Sequence, residues 1–120
     1  MSPPSYGKMS VELRRNMEAE GNSAPPNTAA HHIVACFARR AEGSRQILER
    51  FSIHINAAAN GVYLPGNPQS TAPGMYHPSL HTDDYYDEVF SRLAVATTRE
   101  QALAILDGIR EELLDSTFPH

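Results

Sequence analysis

The chain has 120 residues, 41% of them hydrophobic, a formal net charge of −4 and a single cysteine. That length suits one compact domain over residues 1–120 with one modest core, and Cys36 alone excludes both an intramolecular disulfide and a cysteine zinc cluster. The acidic balance excludes a broad electrostatic grip on nucleic acid, so any polyanion must be handled by a metal ion and a local arginine cluster.

In chain order, residues 1–9 read as a disordered or tag-like N-terminus. No apolar run approaches the ~20 residues of a membrane span, and "MSPPSYGKMS" lacks the apolar centre of a signal peptide, so the chain reads as soluble. "SVELRRNMEAEG", Ser10 to Gly21, predicts a helix capped by Ser10 and stopped by Gly21. "NSAPPNT" is a loop, because paired prolines disfavour regular structure. The double histidine of "NTAAHHIVA" then stands at a strand entry. Successive strand side chains point to opposite faces, so His31 and His32 are poorly placed to grip one ion together. Cys36, in "IVACFA", reads as a small buried hydrophobe. "SRQILERF" predicts an amphipathic helix from Ser44 to Phe51, with Ser44 as cap and Ile47, Leu48 and Phe51 facing inward.

In "SIHINAAANGVYLP", Ile53 and Ile55 alternate with His54 and Asn56 as in a half-buried strand, with His54 facing solvent. Asn60-Gly61 is a tight-turn signal, and "VYLP" reads as the return strand. "GNPQSTAPG" is a loop. In "MYHPSLHTDDYYDEVFSRLAVA", the spacing of Tyr86, Val89, Phe90 and Leu93 predicts a helix packed on the core. That helix starts either at Pro78 or at a Thr82 cap, and Asp83 and Asp84 suit its positive N-terminal end. "TREQALAILDGIREELLDS" predicts a last helix, its core face drawn from Leu103, Ile105, Leu106, Ile109 and Leu113. The expected fold is α+β, mostly helical, with a two-stranded antiparallel element near His31 to Val34 and Gly61 to Leu64.

Four of the six histidines fall in two tight clusters, His31 with His32 and His77 with His81. On a helix, "HPSLH" places His77 and His81 on one face, where they can serve one divalent ion or one phosphate. No glutamate is placed for a metalloprotease H-E-x-x-H helix. The same histidines also suit a noncatalytic, metal-stabilised binding module or a metal-dependent hydrolase of another substrate. Arg39, Arg40, Arg45 and Arg50 form the densest basic stretch, which reads equally as a phosphate-contacting patch and as a solvated helix face.

From about Leu13 to Leu93, the elements "AHHIVA", "INAAANGVYLP" and "HPSLHTDDYYDEV" resemble the AHH family of the HNH/endonuclease VII superfamily, a group of nucleases found mainly as bacterial polymorphic toxins. The resemblance implies a ββα-metal core and a metal-dependent endonuclease acting on nucleic acid, DNA favoured. It also implies action in a target cell's cytoplasm and a cognate immunity protein as partner. His31 matches the family's first motif position, often a metal ligand, and His32 matches the general base, although either order of the two roles stays open. Asn56 and Asn60 match asparagines that orient the base or the turn, while His77 and His81 match helix histidines holding the ion and the scissile phosphate. "IVA" stands where many relatives read "IVP". One divalent ion is implied, with Zn, Mg, Mn and Ni all admissible.

Overall fold

In the computed structural model, which describes residues 6–120, helix α1 runs from Tyr6 to Ala19. It begins ahead of the expected Ser10 cap, so residues 6–9 are helical, and residues 1–5 of the stretch set apart as disordered or tag-like lie outside the described residues. The helix ends as expected: Gly21 takes φ +91°, a left-handed conformation that glycine reaches without a Cβ penalty.

Strand β1, Thr28–His32, pairs antiparallel with strand β2, Gly61–Pro65, with Thr28 opposite Pro65 and His32 opposite Gly61. β1 lies earlier than expected, so the histidines close the strand instead of opening it. Asn60 ends the ladder there. Its Oδ1 accepts from Val34 N at 2.9 Å, and its Nδ2 donates to the carbonyls of Val34 at 3.1 Å and Ile55 at 2.9 Å.

The strand expected over Ile53 to Asn56 does not form. The main-chain groups of Asn56 already have partners, the N–H donating to His54 Nδ1 at 3.0 Å and the carbonyl accepting from Asn16 Nδ2 at 2.7 Å. Asn60-Gly61 is not a hairpin turn either. Ala58–Asn60 is a 3-10 turn, and Gly61 is already extended at φ −121°, so β2 pairs with a strand from before the intervening helix.

That intervening helix, α2, spans Glu42–Arg50 and grows out of a 3-10 turn at Arg39–Ala41. Ser44 is consequently inside the helix and buried, not its cap, whereas Ile47 and Leu48 are buried as expected. Helix α3, Asp83–Leu93, is capped by Thr82, whose hydroxyl accepts from Tyr85 N at 3.1 Å, with Asp83 and Asp84 in its first turn. Its buried face is Tyr85, Val89 and Leu93. Tyr86 is only partly buried, and Phe90, expected inside, is 42% exposed. The face is rotated because Tyr85 reaches the end of β1, where its hydroxyl donates to the Ile33 carbonyl at 2.7 Å. Helix α4, Arg99–Leu114, is capped by Thr98 and buries Ala102, Leu106, Ile109 and Leu113, leaving Leu103 and Ile105 at the core's margin.

The result is the α+β fold expected, with four α-helices and a two-stranded antiparallel sheet among the described residues, in a β1-α2-β2-α3 order consistent with an HNH-like ββα core. The strand pleat gives the sheet two faces. Ala30 packs with Leu13 and Met17 of α1, while Val62 and Leu64 join the main core with α2, α3 and α4. α1 sits close: a Cβ on Gly61 would lie 2.7 Å from Met17 Sδ and 2.8 Å from Leu13 Cδ1.

Asn60→Ala strands two buried backbone groups of Val34 and the partly buried Ile55 carbonyl, and is expected to destabilise the protein by about 3 kcal/mol. Urea unfolding checks this, and a loss below about 1 kcal/mol would contradict the stapling role given to this side chain.

Candidate functional site

His31 is 2% exposed at the end of β1. Its Nε2 lies 2.7 Å from the Tyr85 hydroxyl, whose own proton goes to the Ile33 carbonyl. The hydroxyl therefore accepts from His31 Nε2–H, which leaves the lone pair on Nδ1. That Nδ1 is 2.9 Å from His77 Nδ1. The His77 and His81 rings meet edge to face with centroids 4.9 Å apart. One ring nitrogen from each of His31, His77 and His81 lies within 4.8 Å of the other two, and the group opens to solvent on the side of exposed His81.

His77 and His81 converge, but not on an α-helix. His77–Leu80 is a 3-10 turn, and His81 lies beyond it at φ −90°, ψ 61°. A continuous helix is blocked because Thr82 must be extended, φ −125°, ψ 155°, to cap α3.

Burial, reinforced by the neighbouring imidazoles His77, His81 and His32, holds His31 well below the usual histidine range. Burial, with His81 and His32, likewise lowers His77 to about 4. Both rings are thus neutral at physiological pH, which is the ligating form. Three ring nitrogens facing one another, those of His31 and His77 neutral, are a donor set that fits a divalent cation, and three protein ligands would leave positions open for water and substrate.

His32, also 2% exposed, diverges from its neighbour, as the pleat requires. Its Nε2 lies 2.7 Å from Asn56 Oδ1, on the side of the sheet covered by α1. Burial lowers its pKa, opposed by the bond to Asn56. The structure thus places His31 with His77 and His81, and His32 with Asn56. Both His31 and His32 border a cavity of about 70 Å³ lined also by His81, Tyr85, Tyr86 and the Ala35–Ala38 loop. Cys36 lines it too, but burial pushes its thiol up to about 11, so at neutral pH it is no thiolate ligand.

The other marked residues are dispersed. Asn60 bonds only backbone. Arg45 turns inward and donates to the carbonyls of Ala35 and Ala38 at 2.9 and 2.8 Å, fixing the loop that walls the cavity. Arg40 forms a two-pronged ion pair with Asp87, at 3.0 Å for each nitrogen, and approaches Asp83. Arg39 is exposed beside it. Arg50 lies over the Phe51 ring, 5.9 Å from its centroid, and His54 is exposed as expected.

A model of a nuclease family of the HNH/ENDO VII superfamily, described as having a conserved AHH, matches residues 12–113 and so includes Ala30-His31-His32. The chain belongs to the AHH nuclease family. Comparison with curated proteins found no match, nor did comparison with solved structures. As an AHH nuclease the chain has a nucleic acid as substrate, and its His31, His77 and His81 can hold a metal ion. Among the described residues no helix is long and apolar enough to cross a membrane. Sequence reasoning missed Tyr85 as the partner of His31. The one signal for it was a tyrosine beside Tyr86 whose polar tip would need a bond if buried.

Two outcomes are expected of the metal-free protein. His31 and His77 titrate below their ordinary value, so the unfolded chain binds more protons between about pH 6.5 and 4. Stability is therefore full above about pH 6.5 and falls as pH drops through that window. His77 alone contributes on the order of 1–2 kcal/mol once its partial exposure is allowed for, which urea melts at several pH values will measure. Tyr85→Phe removes the acceptor of His31 Nε2–H and should weaken Zn binding at least about ten-fold by calorimetry, whereas unchanged affinity would deny Tyr85 that orienting role.

Proposed function

We propose that the protein is a divalent-metal-dependent endonuclease that hydrolyses DNA, with His31, His77 and His81 holding the ion and His32 acting as general base. The observation that carries this reading is the meeting of His32 with His31 and His81, two members of the three-histidine group, on one small cavity. When bound, the ion supplies Lewis-acid stabilisation of the charge developing on the phosphoryl and leaving oxygens. An all-nitrogen donor set suits Zn, Ni or Mn better than Mg, which prefers oxygen and keeps its waters.

His32, neutral at pH 7 and held by Asn56, takes a proton from the attacking water. The water oxygen bonds to phosphorus, the bond to the leaving oxygen breaks, and solvent returns a proton to that oxygen. The cavity is small, about 70 Å³, which supports attack on the phosphate backbone in preference to readout of a base. DNA is favoured over RNA because it lacks a 2′-hydroxyl to attack internally, so its cleavage requires an activated water. A surface groove lined by Arg39, Arg40 and Asp83 shares Ala38 and Tyr86 with the cavity and gives the strand its path, Arg40 exchanging Asp87 for phosphate. Arg45 serves the substrate indirectly, through the loop it holds. The resemblance to polymorphic toxins supports a role as an effector domain, matched by an immunity protein and acting in the cytoplasm of a target cell.

The test is cleavage of supercoiled plasmid and of a structured RNA with Zn, Mn, Ni or Mg, with and without chelator. His32→Ala should lose at least about a hundred-fold in plasmid nicking while retaining metal affinity, because a base touches water and not the ion. His77→Ala or His81→Ala should weaken both. Lost affinity in His32→Ala with intact affinity in His31→Ala would reverse the two roles. Cleavage of RNA alone would overturn the DNA assignment, and cleavage indifferent to chelator the metal dependence.

A further inference from the structure

We propose that Glu12 is a positioning residue that sets, through the Asn56 amide, which ring nitrogen of His32 is basic. The proposal rests on the reading of His32 as general base, and its test separates the two. Asn56 is 1% exposed. Its side-chain oxygen lies 2.7 Å from His32 Nε2 and its side-chain nitrogen 2.8 Å from Glu12 Oε2. A carboxamide turned over has nearly the same shape, so its partners alone decide which end is donor and which acceptor. A carboxylate only accepts. The end of Asn56 facing Glu12 must therefore be the NH2 group, and Met9 Sδ, 3.6 Å from the same nitrogen, is also an acceptor. The oxygen is left facing His32, where it can only accept. Nε2 must then carry the ring proton, and the lone pair falls on Nδ1.

Without the carboxylate this ordering loses its anchor. The amide can turn over and donate to Nε2, which would move the ring proton to Nδ1 and remove the base from the nitrogen that takes the water's proton. The geometry of α1 supports a division between holding and polarising. Asn16, one helical turn from Glu12, donates to the Asn56 carbonyl at 2.7 Å and so fixes its main chain, while Glu12 acts on its side chain alone. Glu12 is itself exposed and belongs to no core cluster, so its replacement leaves packing unchanged. The tautomer of His31 is set separately, by Tyr85, and gives an internal reference.

The experiment is long-range 15N–1H NMR of the histidine rings in the metal-free full chain at about pH 8, where ordinary imidazoles are neutral, alongside plasmid nicking and Zn calorimetry on the same variants. Wild type should show His32 as the Nε2–H tautomer. Glu12→Ala should populate Nδ1–H at His32 but not at His31, and nick about ten-fold more slowly at unchanged Zn affinity. Glu12→Gln, whose amide oxygen can accept the same N–H, should restore the tautomer and most of the rate. An unchanged His32 tautomer in Glu12→Ala would overturn the proposal. A tautomer that follows Glu12 while His32→Ala still cleaves would instead overturn the reading of His32 as base.

Discussion

The pleat of β1 is the constraint on which the rest of the site depends. Adjacent strand residues cannot share a face, so His31 and His32 are committed to opposite sides of a sheet only two strands wide. Such a sheet has no inner layer, and each side must be covered by something else. α1 covers the side of His32, and the core of α2, α3 and α4 covers that of His31. A slip of one residue would exchange the two histidines. Two features prevent it: Gly61 opposite His32, where α1 leaves no room for a side chain, and Asn60, which takes both backbone groups of Val34 and closes the ladder.

Burial carries a second consequence. An imidazole removed from water resists protonation, and both proposed roles need it unprotonated. The desolvation is made tolerable by giving each buried ring one firm bond on its Nε2 side, to Tyr85 for His31 and to Asn56 for His32. Those bonds also fix how each ring is turned. Sequence-distant residues thus decide what the AHH triplet can do.

Much of this was legible in the sequence where the signal is local. Gly21 ends a helix by its own backbone freedom, Thr82 was one of the two starts open for α3, and Ile47 and Leu48 mark the buried side of α2. The two histidine clusters were visible as clusters. What failed was decided across the fold. The alternation at Ile53 to Asn56 was a fair strand pattern, but Asn16 and His54 had already taken the backbone groups a strand would pair. Tyr85 replaced Tyr86 on the inner face because an acceptor stood at Ile33, dozens of residues away in sequence. Arg45, which read equally as a phosphate contact and as part of a solvated helix face, bonds the carbonyls of the Ala35–Ala38 loop, a partner no charge pattern encodes.

The separation of the sheet's two sides into different hydrophobic clusters means that the residues proposed to hold the ion and the one proposed to take the proton rest on different parts of the molecule. Residues that share no partners contribute nearly additively. Under the proposed roles, packing around the metal ligands and packing around the base are therefore separable, the two being tied chiefly by the electrostatic influence of His32 on His31 and His77. Substitutions around Tyr85 and the 3-10 turn can retune the one, and substitutions along α1 the other, without each change having to be matched across the sheet.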